Sequence, residues 1–388
     1  MDTGIYLDHA ATTPVRPEVQ ETLREVLSST FGNASSIHTF GQEAKRVLEE
    51  SRETVAGCIG AATGEVVFTS GGTESDNLAV RGTAYALKEK GNHIITTAIE
   101  HPAVLNCCMS LEEEGFDVTY LPVDLDCRVH PEWVAQAIRP ETILITVMFA
   151  NNETGSIQPV AEIGKIARQR GLVFHTDAVQ AVGKLPISVE ELGVDLLSMS
   201  AHKIYGPKGI GGLYVRKGTR LNPLVYGGHH EMNLRPGTEN VPGIAAFARA
   251  VELATEELPG SSERLQLLKE RLASGIEDAI GHVHRNGSPT ACLPNILNMS
   301  FSGVDGEALL LNLDLMGVAV STGSACSSGA TEPSHVLMAM GMEPLLAQAS
   351  LRFSFGRDNT EEQIDRVVEV LPDIAGRLRD LGDARARE

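Results

Sequence analysis

Two residues at the ends of apolar runs set the chemical question: Lys203, in Ser200-Ala201-His202-Lys203, and Asp177, in His175-Thr176-Asp177. Lys203 is followed by the glycine-rich Gly206-Pro207-Lys208-Gly209. An amine and a carboxylate that could both face one ligand suit pyridoxal phosphate (PLP). That cofactor needs a lysine for its Schiff base and an acid that keeps the pyridinium nitrogen protonated. Taken singly each is weak, since most lysines are surface residues and a strand-end Asp is often a helix cap.

Three further groups extend the pattern. In Thr69-Ser70-Gly71-Gly72-Thr73-Glu74-Ser75 an apolar run ends in paired glycines and a helix begins at a hydroxyl residue. Free backbone N–H groups at such a start suit a phosphate, although an ordinary capping turn reads the same way. There is no GxxxxGK[ST] and no GxGxxG after the first strand, so the nucleotide readings of that turn fail. His101, in Glu100-His101-Pro102, could stack on a cofactor ring and move protons near neutral pH; a structural histidine is the plainer alternative. His229-His230 lack a third ligand and make a poor metal site.

Cys326 lies in Ser321-Thr322-Gly323-Ser324-Ala325-Cys326-Ser327-Ser328-Gly329, small and polar residues with no helical or strand period. An accessible thiol there, with an ordinary pKa of about 8.5, carries appreciable thiolate at neutral pH. An incidental loop cysteine is the bland reading. Arg352, in Leu351-Arg352-Phe353-Ser354-Phe355, alternates with apolar residues, and its guanidinium suits an amino-acid carboxylate. A charge on an exposed strand face has the same pattern.

These groups need a scaffold. Between residues 60 and 216 short β-rich runs (Glu65–Thr69, His93–Ala98, Val118–Pro122, Ile143–Phe149, Leu172–Thr176, Asp195–Ser198, Gly212–Val215) alternate with amphipathic helical stretches. That alternation predicts an α/β fold with a mainly parallel seven-stranded sheet flanked by helices, whose ligands lie beyond the carboxyl ends of the strands. A helical region follows over Gly243–Ile280, with Pro259-Gly260 expected to interrupt it. Strands near Asn295–Phe301 and Leu351–Phe355 and a helix at Thr360–Leu381 point to a smaller α+β domain. The expected division is a large cofactor-binding domain over 16–256 and a small domain made of 1–15 with 257–388, carrying the cysteine loop at about 321–333.

The 388-residue chain is 42% hydrophobic and 21% charged, with a formal net charge of −19. That charge opposes nucleic-acid binding. No run of about 18 apolar residues is present to span a membrane, and no secretory leader is visible. Six cysteines without CxxC pairing fit a reducing, cytoplasmic setting.

Taken together, the motifs resemble the cysteine desulfurases of the NifS/IscS type, fold-type I PLP enzymes of aminotransferase class V. The markers are LDHAATTP at 7–14, GNASSIH at 32–38, TSGGTESDN at 69–77, EHPAV at 100–104, NNETG at 151–155, HTDAVQ at 175–180, SAHKIYGPKG at 200–209, RPGTEN at 235–240, STGSACSSG at 321–329 and LRFSFGR at 351–357. They span essentially the whole chain. The resemblance implies sulfur removal from L-cysteine, giving L-alanine and a persulfide on Cys326. It makes Lys203 the Schiff-base lysine, Asp177 the partner of the ring nitrogen and Gln180 that of the ring hydroxyl, with His101 stacked on the ring. Gly72, Thr73, Ser200 and His202 would hold the phosphate, with Thr238 from the other subunit of a homodimer. Asn152 would contact cofactor or substrate, and Arg352 with Asn33 would take the substrate carboxylate. The persulfide would pass to a sulfur acceptor or an iron–sulfur scaffold protein, and Cys326 becomes a candidate transient iron–sulfur ligand. The rival readings are another fold-type I reaction, such as a selenocysteine lyase or aminotransferase, and a non-catalytic scaffold.

Some positions depart from the pattern. His229, Met232 and Asn233 stand where glycine, arginine and glycine are commoner, and Asn233 is expected to take the left-handed conformation. His9 and Ala34 are smaller departures.

Overall fold

The structure is a computed structural model describing residues 4–322 and 332–385. Cys326 lies outside the described residues. A two-residue strand, β1 (Ile5–Tyr6), precedes the seven strands of the large sheet: β2 (Val66–Thr69), β3 (His93–Thr97), β4 (Asp117–Leu121), β5 (Thr142–Thr146), β6 (Val173–Asp177), β7 (Leu196–Ser200) and β8 (Gly211–Val215). Their order is β2-β8-β7-β6-β5-β3-β4. All pairings are parallel except those of β8, which runs antiparallel to β2 and β7. Helices cover both faces, so β3, β5, β7 and β8 are buried along their length and read as continuous apolar runs. The edge strand β4 alone has an exposed first residue.

A second apolar core gathers β10 (Ile296–Phe301), which lies between β9 (Val283–Asn286) and β12 (Ser350–Ser354) in an antiparallel sheet. The N-terminal β1 joins this part of the molecule. It pairs in parallel with β11 (Val318–Ala319), and Asp8 bridges to Ser354.

The sequence reading needs one correction here. The Val241–Ala279 helix runs unbroken through Pro259. Its first half buries Ile244, Phe247 and Val251 in the large core, and its second half buries Leu268, Leu272 and Ile276 in the other. Pro259 cannot supply the N–H that the Thr255 carbonyl would accept, but residues 255–257 and 259–260 are exposed and water can take that place. Packing at both ends outweighs the local breaker.

Candidate active site

The carboxyl ends of β6 and β7 open on a cavity of about 810 Å³. Gly72, Thr73, His101, Asn152, Asp177, Gln180, Ser200, His202, Lys203 and Arg352 all line it. Ten residues singled out in the sequence are thus brought together. Two are not: Asn33 is exposed, with its Oδ1 accepting from the Ser35 N–H, and Thr238 is exposed away from this cavity.

At one end, β2 turns into the Gly72–Leu87 helix through Gly71, whose φ of +155° is open to glycine. A Cβ on Gly72 would stand 2.9 Å from Val179 Cγ2, so glycine is needed for the helix start to approach β6. The first turn of that helix has N–H groups without helical partners. Ser75 fixes the turn, its hydroxyl bonded to Thr69 Oγ1 at 2.7 Å and to the Gly212 carbonyl at 3.0 Å. Opposite lies Ser200, buried, with no partner for its Oγ. Unpaired N–H groups and an orphaned buried hydroxyl are a fit for a phosphate.

At the other end Asp177, 6% exposed, accepts the Val179 N–H through Oδ1 at 2.9 Å. Burial pushes its carboxyl above the ordinary range, against the pull of His101 and Lys203. A cation such as a pyridinium would return it to the charged form. Asp76 lies on the same wall, 1% exposed, its Oδ1 making no hydrogen bond and standing 3.7 Å from His175 Nε2; burial, and next Asp177, hold its carboxyl well above the ordinary range. His101 caps the Pro102–Glu113 helix, its Nδ1 accepting from the Ala103 N–H at 3.1 Å. Burial lowers its pKa, so the ring is neutral with its proton on Nε2.

Lys203 follows β7 in a short 3-10 turn, and its Nζ donates to the Ala10 and Ala11 carbonyls at 2.5 and 2.7 Å. On the substrate side Arg352, 3% exposed, donates from Nη1 to the Asn152 carbonyl at 2.9 Å and pairs through Nη2 with Asp8 at 2.8 Å. Its Nε is buried and unpartnered. The exposed-face reading of Arg352 is excluded.

Several residues of the site escaped the sequence reading. Asp76 was legible, three residues after Thr73 and so on the same helix face. Asp8, Ala10 and Ala11 lie within LDHAATTP at the other end of the chain, and no local pattern shows that they meet Arg352 and Lys203. Glu153 and His335 also line the cavity; Glu153 accepts from Ser334 Oγ at 2.5 Å, which anchors the segment beginning at Glu332. Among the described residues no cluster suits a metal ion, and no helix is long and apolar enough to cross a membrane.

A lysine and a buried carboxylate on adjacent strand ends, facing a phosphate-ready helix start, define a fold-type I PLP enzyme. The aminotransferase class-V family matches residues 5–367. Cysteine desulfurase IscS of Dictyoglomus turgidum is 52% identical over 379 residues, covering 98% of this chain and 96% of that protein. Cysteine desulfurase IscS of Methanosarcina thermophila is 50% identical over 385 residues, covering 99% and 95%. Among solved structures, a NifS-like protein superposes with a TM-score of 0.91 at 39% identity, covering 97% of this chain and 100% of that one. SspA in complex with cysteine gives 0.81 at 38% identity, covering 90% and 98%. The chain belongs to the class-V aminotransferase family and, within it, to the cysteine desulfurases of the NifS/IscS type.

Proposed function

We propose that this chain takes sulfur from L-cysteine, releasing L-alanine and leaving a persulfide on Cys326. The observation that carries the reading is the meeting of Lys203, Asp177 and Arg352 on one cavity wall system. SspA, a structural relative, was solved with cysteine bound.

When bound, PLP supplies an electron-accepting ring that stabilises negative charge at the substrate α-carbon. Asp177 holds a proton at the ring nitrogen. Gly72, Thr73, Ser200 and His202 would bind the phosphate, and Arg352 would bind and orient the substrate carboxylate beside Asn152. Lys203 Nζ would hold the cofactor at rest and, once free, would take the substrate α-proton. His101 Nε2–H donates toward the reacting groups; taking a second proton on Nδ1 would give up its cap on Ala103. Cys326 thiolate forms an S–S bond to the substrate sulfur as the substrate C–S bond breaks, and its electron pair stays with the carbon fragment that is protonated to alanine.

The working unit is a homodimer in the cytoplasm, with Thr238 reaching the partner's phosphate site. Exposed Val225 and Tyr226, 63% and 85% accessible, lie on the same segment and suit burial against a second copy. The large and small domains divide at 16–256 and 1–15 with 257–388. The persulfide passes to a sulfur-acceptor or iron–sulfur scaffold protein, with Cys326 as a transient ligand.

Cys326→Ser tests this reading. The variant should keep the cofactor's absorption and bind cysteine while losing persulfide and sulfide output; unchanged turnover would remove Cys326 from the reaction. Alanine and sulfide in equal amounts distinguish the activity from transamination, which yields a keto acid.

A further inference from the structure

Next to the ring-facing residues lies a second lysine that the proposed chemistry leaves idle. Lys184 donates from Nζ to Gln180 Oε1 at 3.0 Å. Gln180 Nε2 donates to the Ala10 carbonyl at 2.9 Å, and Lys203 Nζ donates to the same carbonyl at 2.5 Å. Lys184 and Lys203 also share the lining of a smaller cavity, about 50 Å³, distinct from the large one.

The direction of the Gln180 amide follows from this chain of bonds. An ammonium only donates, and a carbonyl only accepts. The Ala10 carbonyl sets the amide nitrogen on its side, and a protonated Lys184 reinforces that direction by donating to the amide oxygen. Its nitrogen then keeps one N–H, and Gln180 lines the large cavity. That N–H can donate to a ring oxygen and favour its anionic form. A reversed amide would offer oxygen to oxygen.

We propose that Lys184 is a positioning residue: it locks the Gln180 amide with nitrogen toward the cofactor's ring oxygen, and its charge disfavours a proton on the neighbouring Lys203 nitrogen. This rests on the PLP reading given above.

The surroundings support a strained cation. Lys184 faces His9 from the N-terminal turn, His202 and Lys203 from the segment after β7, and Arg352 from β12. The small cavity adds Tyr205, Arg357 and the Arg16–Glu257 pair. Glu257 is committed to Arg16 through two bonds of 2.8 Å, so it offers Lys184 little compensation. Burial first, then the charges of Lys203 and Arg352, draw the Lys184 amine down to about 7. The same repulsion acts on Lys203 in return. An anionic ring oxygen beyond Gln180 would in turn favour the ammonium.

The test is a pH titration of the cofactor's near-visible absorption in the holoprotein, alongside cofactor affinity. Lys184→Met removes both charge and donor, so the midpoint should rise by about one pH unit or more. Lys184→Arg keeps both and should return it toward the parent value. If Lys184→Met does not fold, Lys184→Gln, which keeps a donor without charge, should still move the midpoint upward. A midpoint that stays put in a folded uncharged variant overturns the proposal. Borohydride trapping and peptide mapping of the parent protein separate the two levels. Cofactor on a lysine other than Lys203 defeats the site reading itself; cofactor on Lys203 with an unmoved midpoint defeats only the role of Lys184.

Discussion

Arg352 and Asp8, 344 residues apart in sequence, form a pair at 2.8 Å in which the arginine side chain is 3% accessible and the aspartate 20%. The pair holds the guanidinium at the cavity wall before any substrate arrives. It also neutralises a charge that would be costly to bury alone.

Replacing that aspartate should expose the trade. Asp8→Asn leaves Arg352 under-compensated, so the free protein should lose about 2–4 kcal/mol of stability. A substrate carboxylate can then do what Asp8 did. L-alanine, which has the carboxylate and no sulfur, should therefore raise Tm more in Asp8→Asn than in the parent. Equal shifts would mean that Arg352 does not meet the carboxylate. Arg352→Lys, which loses the planar fork, should raise KM by roughly tenfold or more with a smaller change in kcat.

Lys203→Ala should yield a protein whose cofactor is removed by gel filtration, with turnover down by about 10³-fold or more. Borohydride reduction followed by peptide mapping should place the cofactor on the Lys203 peptide in the parent and nowhere in the variant. Retained covalent cofactor would point to another lysine.

Met232 sits at φ +57°, ψ +29°, between Glu231 and Asn233, which are also at positive φ. Asn233 behaves as its sequence suggested; the left-handed run is longer than expected. It is held down by Glu231, whose carboxylate takes both Nη atoms of Arg52 and the Phe68 N–H at 2.7 Å each. Met232 is 43% exposed and packs little. Met232→Gly should gain about 0.5–1 kcal/mol, seen as a higher urea midpoint at unchanged slope. Glu231→Ala should cost about 3 kcal/mol, since buried Arg52 keeps only Glu49 at 3.4 Å and the Val66 carbonyl.

Buried titratable groups give opposing pH effects. Burial holds His9, His93 and His202 at about 4 and His175 at about 3. Unfolding restores the ordinary 6.5, so their contribution is full above that value and lost as pH falls through the folded ones. Glu100 runs the other way. Burial raises it from 4.5 to about 8, so its contribution is full below 4.5 and lost as pH rises through 8. Glu100→Gln should remove one proton's worth of slope between those values, about 1.4 kcal/mol per pH unit at most. Urea midpoints measured across that range check this; parallel curves for parent and variant would show Glu100 charged in the folded state.

Much of the site could be read from the chain because its markers are local. Asp177, Lys203 and the Gly71-Gly72 turn each sit where a strand ends, and a strand end has its own composition. The Glu231 clamp on Arg52 and the carbonyls that receive Lys203 depend on which distant segments meet, and no nearby residue announces that. Pro259 is a breaker judged by its neighbours alone, and the two cores that hold its helix straight lie far from it in sequence. Thr238 and Asn33 were named by likeness alone, and within one copy nothing draws them to the cavity.

The pairing of β1 with β11, and of Asp8 with Ser354, has a consequence for biosynthesis. The carbonyls that meet Lys203 are on residues that leave the ribosome long before the strands that seat them. A nascent chain can complete its central sheet while this wall of the pocket still waits for the distal segment. The wall that receives Lys203 is therefore finished only after β11 and β12 have been made.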